Sequence, residues 1–485
     1  MTIRQLATPW AAPGDRQYSL PTSLLVKLAL GEAPEQVPAV RDVVRGAQPA
    51  SRSIDGGAID RIIGEKAGVF RAARLFNAAG GPGRPGCGHI GYDSVEQATG
   101  VARTLILRVP SGTPVGPLCE TLAQIPAVES ASPNYVSVTP FDLLTSASAP
   151  KADDGWATRQ QVRMAEAHAI EPGDDGVVVG LVDSGISKRH VELARTFRAG
   201  FDTVRLESAD VAPGIELLGD HSLDDGNPED RFVGHGMGCA GIIAADGQAM
   251  PRGLGGACRI IPMRGLAAVR LPGKTAAVGL GLLSDLDLAV NLAVNLGAKI
   301  INMSFGTDDA ALAPNSPKPH ADVISYALAR GCILIAASGN NGRETRFWPA
   351  AYPGVIAVGA VGGDGLPAAF STRGEHVALC APGEQVLTTS IGNGYQYATG
   401  TSFAAPFAAG AAALLVARSH RRARPIDAET VRRILMRTAQ PFSAGAQTGC
   451  GTGVLDAAAA LAALEEELDS ALGHQAEADG GADDG

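Results

Sequence analysis

The sequence predicts an α/β fold: a three-layer α/β/α arrangement around a mostly parallel sheet, preceded by a small α+β domain. Three observations carry this. Beyond Gly176, apolar runs rich in β-branched residues (GVVVGLVD, CRIIPM, AKIINM, GCILIAA) alternate with helical stretches, as strands buried on both faces do. Before them, a strand at Arg103–Val109, a helix opened by Ser111–Pro114 and a returning strand at Ala127–Val138 form a β–α–β unit of different character. Finally, 485 residues are too many for one ordinary domain. The expected division is an α+β region over 1–140, a linker over 141–155, the α/β domain over 156–463 and an acidic tail over 464–485.

Taken in order, the first region opens with an extended run, SLLVKLAL (Ser23–Leu30). Helical signals follow at Val40–Val44, Ala58–Ile63 and Val69–Phe76, and then a Gly/Pro-rich break at Gly80–Gly88. The linker is rich in Ser, Ala, Pro and Asp and reads as exposed chain. In the larger domain, SDLDLAVNLAVNLG reads as a helix. Ser284 and Asp287 suggest a capping box, Leu288, Leu292 and Leu296 recur at helical spacing, and Gly297 suits the C-terminal end. Residues after Leu464 carry eight acidic side chains and no Lys or Arg, which predicts a disordered tail.

Those eight acids account for most of the net charge of −10. The rest of the chain is near neutral with no basic stripe, which argues against a nucleic-acid partner. The N-terminus lacks a basic start followed by an apolar run, and no segment reads as a membrane span. The seven cysteines contain no CxxC pair; Cys332 and others lie in apolar runs. Buried free thiols and a reducing, by default cytoplasmic, compartment follow, with export by another route left open.

Four polar residues stand at strand or helix ends, where α/β sheets place their sites. Asp183 (GLVDSGI), Ser304 (NMSFG) and Asn340 (AASGNN) close predicted strands, and Ser402 (GTSFAAPFAAG) opens an Ala-rich helix. His235 lies in GHGMGCAG, between glycines that permit close approach of another backbone. Singly, each has an ordinary role: turn Asp, core His, loop Asn, helix-capping Ser. Jointly they suit acyl transfer. A serine needs a base, the base needs a carboxylate to orient it, and the oxyanion needs donors, which Asn340 and a helix N-terminus supply.

The words DSGI, GHG, NMSFG, AASGNNG and GTSFAAP in this order, with AAYPGVIAVGAV (Ala350–Val361), LCAPGEQVLTTS (Leu379–Ser390) and CGTGVLDAAAAL (Cys450–Leu461), resemble the subtilisin-like serine proteases over roughly Trp156–Leu461. The resemblance implies a subtilisin-like fold and a serine endopeptidase made as a zymogen. Ser402 would be nucleophile, His235 general acid/base, Asp183 its orienting carboxylate and Asn340 an oxyanion donor. Ser304, Phe305 and Gly306 would pair with an extended polypeptide substrate. Ala337, Ser338 and Gly339 would form the opposite wall of a primary pocket that takes a bulky apolar side chain. The N-terminal region resembles the family's propeptide, implying an inhibitor in cis and self-cleavage within roughly 139–155. A peptide-tailoring acyl transferase and a peptide-binding pseudoprotease share the same sequence words.

Departures from the family words are Met237-Gly238, Phe403 and Phe407. Phe407 lies on the helix five residues past Ser402 and reads as packing. Cys239, near the predicted base, matches a branch of the family with a free thiol there. No cofactor is implied. Family members often hold calcium, yet the acidic loop Leu217–Phe232 (Asp220, Asp224, Asp225, Glu229, Asp230) matches no calcium spacing and reads as solvated.

Overall fold

The computed structural model describes residues 19–31, 34–80, 85, 87, 88, 90–139, 143–147, 154–211, 214–222, 224–312, 316–442 and 448–480. In chain order the N-terminal strands are β1 (Ser19–Leu28), β2 (Arg71–Arg74), β3 (Thr104–Arg108) and β4 (Val128–Val138), followed by β5 (Leu143–Ala147). The larger domain supplies β6 (Val178–Asp183), β7 (Phe201–Asp202), β8 (Glu216–Leu218), β9 (Arg259–Arg264), β10 (Ala267–Arg270), β11 (Ala277–Leu282) and β12 (Ile300–Met303). Then come β13 (Thr307–Asp308), β14 (Ile333–Ala337), β15 (Phe347–Trp348), β16 (Val355–Val361), β17 (Val377–Pro382), β18 (Val386–Thr389) and β19 (Tyr395–Thr399).

Parallel pairing organises the larger domain in the order β17-β16-β14-β12-β6-β9-β7. Its central strands are largely apolar because both faces are covered. In β6, Val179 and Leu181 join the core beneath the helices His235–Ala244 and Thr401–Arg421, while Val178 and Val182 face the helices Leu283–Asn295 and Ala321–Ala329. This is the expected three-layer α/β/α fold. The chain leaves β6 toward β9 on one side and later returns to β12 on the other. The carboxyl ends of β6, β12 and β14 therefore border a switch point, where such sheets place a cleft. The helix Thr401–Arg421 is long and apolar enough to cross a membrane, but 94% of its most apolar window is buried in the protein, so core packing accounts for it.

Period-two alternation builds the smaller domain. Leu24, Val26, Leu105 and Leu107 face the helices Ala58–Ala67 and Val115–Leu122; Leu25 and Ile106 face the core of the larger domain. Its antiparallel strands do not stop at the domain edge. β4 pairs with β11, so one sheet runs β2-β3-β1-β4-β11-β10-β8 through both domains. Side chains lock the join. Arg41 meets the buried Asp224 at 2.9 Å, Lys27 meets Asp322 at 2.8 Å, Arg108 meets Asp210 at 2.8 Å, and Asn134 hydrogen-bonds Ser284.

Four expectations need correction. Val69–Phe76 is not helical but carries β2, whose Ala72 and Ala73 alternate between two cores; four short residues give too little hydrophobic contrast to show that period. Ser284 and Asp287 do not cap their helix, which starts at Leu283. Ser284 binds Asn134, and Asp287 accepts from His320, while Gly297, at φ +89°, does close the helix. The linker is not simply exposed chain: Leu143–Ala147 forms β5, antiparallel to β19, although residues 140–142 and 148–153 lie outside the described residues. The acidic tail continues the helix Ala457–Gly480. Leu461, Leu464 and Leu468 are buried, and Glu465, Glu467 and Asp469 pair with Arg418, Arg433, Arg437 and Arg422, so the charges are matched rather than repelling.

Candidate active site

Each candidate is set by the end of an element. β6 is continuous and apolar up to Asp183, which it leaves buried at its carboxyl end (1% exposed). Gly234, at φ +77°, turns the chain into the helix His235–Ala244, so His235 is its first residue. His235 Nδ1 lies 2.7 Å from Asp183 Oδ1, and both side chains are buried. That approach requires the glycine expected from the sequence: a Cβ on Gly236 would come within 2.3 Å of the Gly185 carbonyl and 3.2 Å of the Asp183 Cβ. Asp183 Oδ1 also accepts from the Ser184 N–H at 2.7 Å, whereas Oδ2 has no hydrogen-bond partner.

Ser402 is the second residue of the helix Thr401–Arg421, where free N–H groups and the helix dipole favour negative charge. Its Oγ donates to the Ser304 carbonyl at 3.3 Å, and its own carbonyl accepts from Ser304 Oγ at 2.8 Å and from the Cys239 thiol at 3.4 Å. The Phe403 ring lies 5.1 Å from the His235 ring, centroid to centroid. Asn340 is oriented by Thr401, whose N–H and hydroxyl both donate to Oδ1, at 2.9 and 2.8 Å. Those two bonds fix the orientation of the Asn340 side-chain amide. Asp183, His235, Ser402 and Asn340 are thus gathered from four separate segments.

The cleft walls are partly as expected. Ser304 and Phe305 follow β12 and are fully buried, Phe305 edge-on to His320 at 5.5 Å. Ala337, Ser338 and Gly339 end β14; Ser338 donates through its N–H to Val358 O and through its hydroxyl to Thr372 O. The expected pocket for a bulky side chain needs revision. The Phe347 ring packs against both Gly306 and Gly339, about where a Cβ on either would sit (2.5 and 3.0 Å), so an aromatic ring narrows the slot between the walls. β11 pairs with β4 at Val136, Ser137 and Val138, and Ser137 Oγ reaches Thr307 Oγ1 at 2.9 Å just past Gly306. Sequence reasoning missed β11; its alternating glycines in AVGLGL were the available signal.

Several carboxylates of the acidic loop are engaged by protein groups. Asp224 pairs with Arg41, Glu229 with Arg231, and both oxygens of Asp230 are taken by protein donors. The loop is also less solvated than its composition suggests, since Asp224 and Asp230 are buried. Phe407 is fully buried and its ring faces the Arg159 guanidinium at 5.4 Å, the packing role expected of it.

This geometry coincides with a family profile. Residues 174–460, more than half of the chain, match Peptidase_S8, the Subtilase family. The chain belongs to the subtilase family. This subtilase is 33% identical over 294 residues to a thermophilic serine proteinase of Bacillus sp. (strain AK1), covering 60% of the present chain and 63% of that relative. It is 34% identical over 258 residues to subtilisin BL of Lederbergia lenta, covering 53% and 81%. Among solved structures, a protease from Pseudoalteromonas arctica superposes with a TM-score of 0.53 at 26% identity, over 65% of this subtilase and all of that chain.

Proposed function

We propose that this subtilase is a serine endopeptidase made as a zymogen, with Ser402 as nucleophile, His235 as general acid/base and Asp183 as its orienting carboxylate. The observation that carries the reading is the buried 2.7 Å contact between His235 and Asp183 beside a serine at a helix N-terminus. His235 takes the Ser402 proton as Oγ attacks the peptide carbonyl, Asp183 stabilises the imidazolium, and the oxyanion takes donors from Asn340 and the Ser402 N–H. The leaving amine departs with the proton from His235, and water, activated by the same imidazole, hydrolyses the acyl-enzyme.

The smaller domain is read as inhibitor in cis. β4 binds β11 on one side of Ser402, and β5 binds β19, which leads into Gly400 and Ser402, on the other. On this reading self-cleavage falls within roughly residues 139–155, after β4. A polypeptide in extended conformation is the proposed substrate. No catalytic cofactor enters the proposal. The free cysteines among the described residues, six of the seven buried, support a reducing compartment.

A fluorophosphonate probe should label wild type but not Ser402→Ala, and N-terminal sequencing should find a new terminus within roughly residues 139–155 in wild type only. Equal labelling of the two proteins would sink the assignment. Products formed with an added amine acceptor separate hydrolysis from acyl transfer.

A further inference from the structure

Asp230 is one of five acids in its loop, yet it is the best-satisfied carboxylate near the site. Its Oδ1 accepts the N–H groups of Phe232 and Val233, both at 2.9 Å; its Oδ2 accepts the Gly234 N–H at 2.8 Å and the Ser184 hydroxyl at 2.7 Å. Four donors converge on a side chain in a residue only 4% exposed. Surface acids are seldom so enclosed.

Those donors belong to two segments that must meet for the site to form. Phe232, Val233 and Gly234 lead directly into His235. Ser184 follows Asp183, to which its N–H donates at 2.7 Å, and Ser184 Oγ in turn accepts the Gly236 N–H at 3.1 Å. The backbone repeats the link: Asp230 N–H donates to Ile186 O, and Ile186 N–H to Pro228 O, each at 2.9 Å. The residues before and after His235 are thus tied through Asp230 and Ser184 to the residue after Asp183.

We propose that Asp230 and Ser184 are positioning residues for the Asp183–His235 pair. Asp230 fixes the turn that delivers His235, and the Ser184 hydroxyl couples that turn to the strand end carrying Asp183. Neither touches substrate. The inference rests on the serine-peptidase reading and extends it from the reacting groups to the frame that sets their distance.

The test uses the self-processed full-length protein and a chromogenic peptide substrate. Asp230→Asn keeps the shape but turns an acceptor into a donor. It should lose roughly 10–100-fold in kcat, with KM within about twofold. Ser184→Ala should lose a comparable factor, and Ser184→Thr, which keeps the hydroxyl, should recover to within about threefold of wild type. Fluorophosphonate labelling should slow in parallel with kcat. If Asp230→Asn does not fold, the Ser184→Ala and Ser184→Thr pair still decides the matter. The inference is overturned if Ser184→Ala, melting like wild type, keeps kcat within about twofold, or if Ser184→Thr is no better than Ser184→Ala. A wild type that neither labels nor hydrolyses overturns the functional reading itself, a different outcome from an active wild type indifferent to Ser184.

Discussion

Arg159 is fully buried in the short helix Trp156–Gln161 and has no carboxylate partner among the described residues; Nε and Nη2 find no hydrogen bond there, and burial pulls its guanidinium down to about 9. The Phe407 ring at 5.4 Å and the Thr158 hydroxyl at 3.0 Å offset only part of that desolvation. Replacement by an unbranched apolar chain should therefore stabilise: Arg159→Met is expected to gain about 1–4 kcal/mol in unfolding free energy. The sign in pH follows from the lowered value. Both folded and unfolded states are charged below about 9, so the penalty is fully present there, and it fades as pH rises toward the ordinary value of 12.5. Melting curves of both proteins from pH 7 to 10.5 check this; a variant that melts lower than wild type at pH 7 refutes it. The sequence offered no hint of this arginine, because burial of a charge is settled by elements far apart in the chain. The four site residues were legible because each sits in a short word with its own local geometry. Asp230 was not, because its donors come from neighbours and from Ser184 across the site.

At the scale of elements, the Ala- and Gly-rich composition of the helix Thr401–Arg421 reads as room for close contact, and the structure says against what. A Cβ on Gly410 would fall 2.8 Å from the Gly255 nitrogen and 2.9 Å from the Leu254 Cβ. Intrinsic helix propensity favours Ala over Gly by about 1 kcal/mol, yet the overpacking penalty of about 1–3 kcal/mol should win. Gly410→Ala is thus expected to lower the melting temperature and, by tilting the helix that carries Ser402, to reduce kcat; a melting temperature at or above wild type contradicts the packing argument. The parallel strands were readable from continuous β-branched runs, and Gly297 from its place after a periodic segment. β2, β5 and the helical continuation into the acidic tail were hidden for a shared reason. Their conformation comes from partners, namely β3, β19 and a row of arginines, rather than from local pattern.

For the whole molecule, the division into a small α+β unit and a larger α/β unit was visible in composition, but their fusion into one sheet was not, since nothing in either segment names β4 and β11 as each other's partner. The join is electrostatic as well as backbone-mediated. At Asp93, burial alone would raise the carboxyl, but its contact with Arg330 and the N–H groups of Glu96 and Val95 together outweigh this and hold it below its ordinary 3.8. A depressed carboxyl contributes stability above its unfolded value and loses it as pH falls through the folded one. After self-cleavage the two pieces should co-elute in size exclusion at pH 7 and separate more readily below about pH 4; separation on nicking at pH 7 counts against the docking described.

The unbroken ladder also bears on timing. Cutting the chain after β4 removes a covalent link but none of the ladder bonds from β2 to β8. On the proposed reading, the nicked molecule is still occupied by its own severed strand, held at a concentration that dilution does not change until the strand lets go. Scission and switching-on become two clocks, and the slower is the peeling of β4 from β11. Activity in a fresh preparation should then rise after a lag whose length ignores protein concentration, until the first freed molecules begin to digest the N-terminal domains of others and the delay collapses.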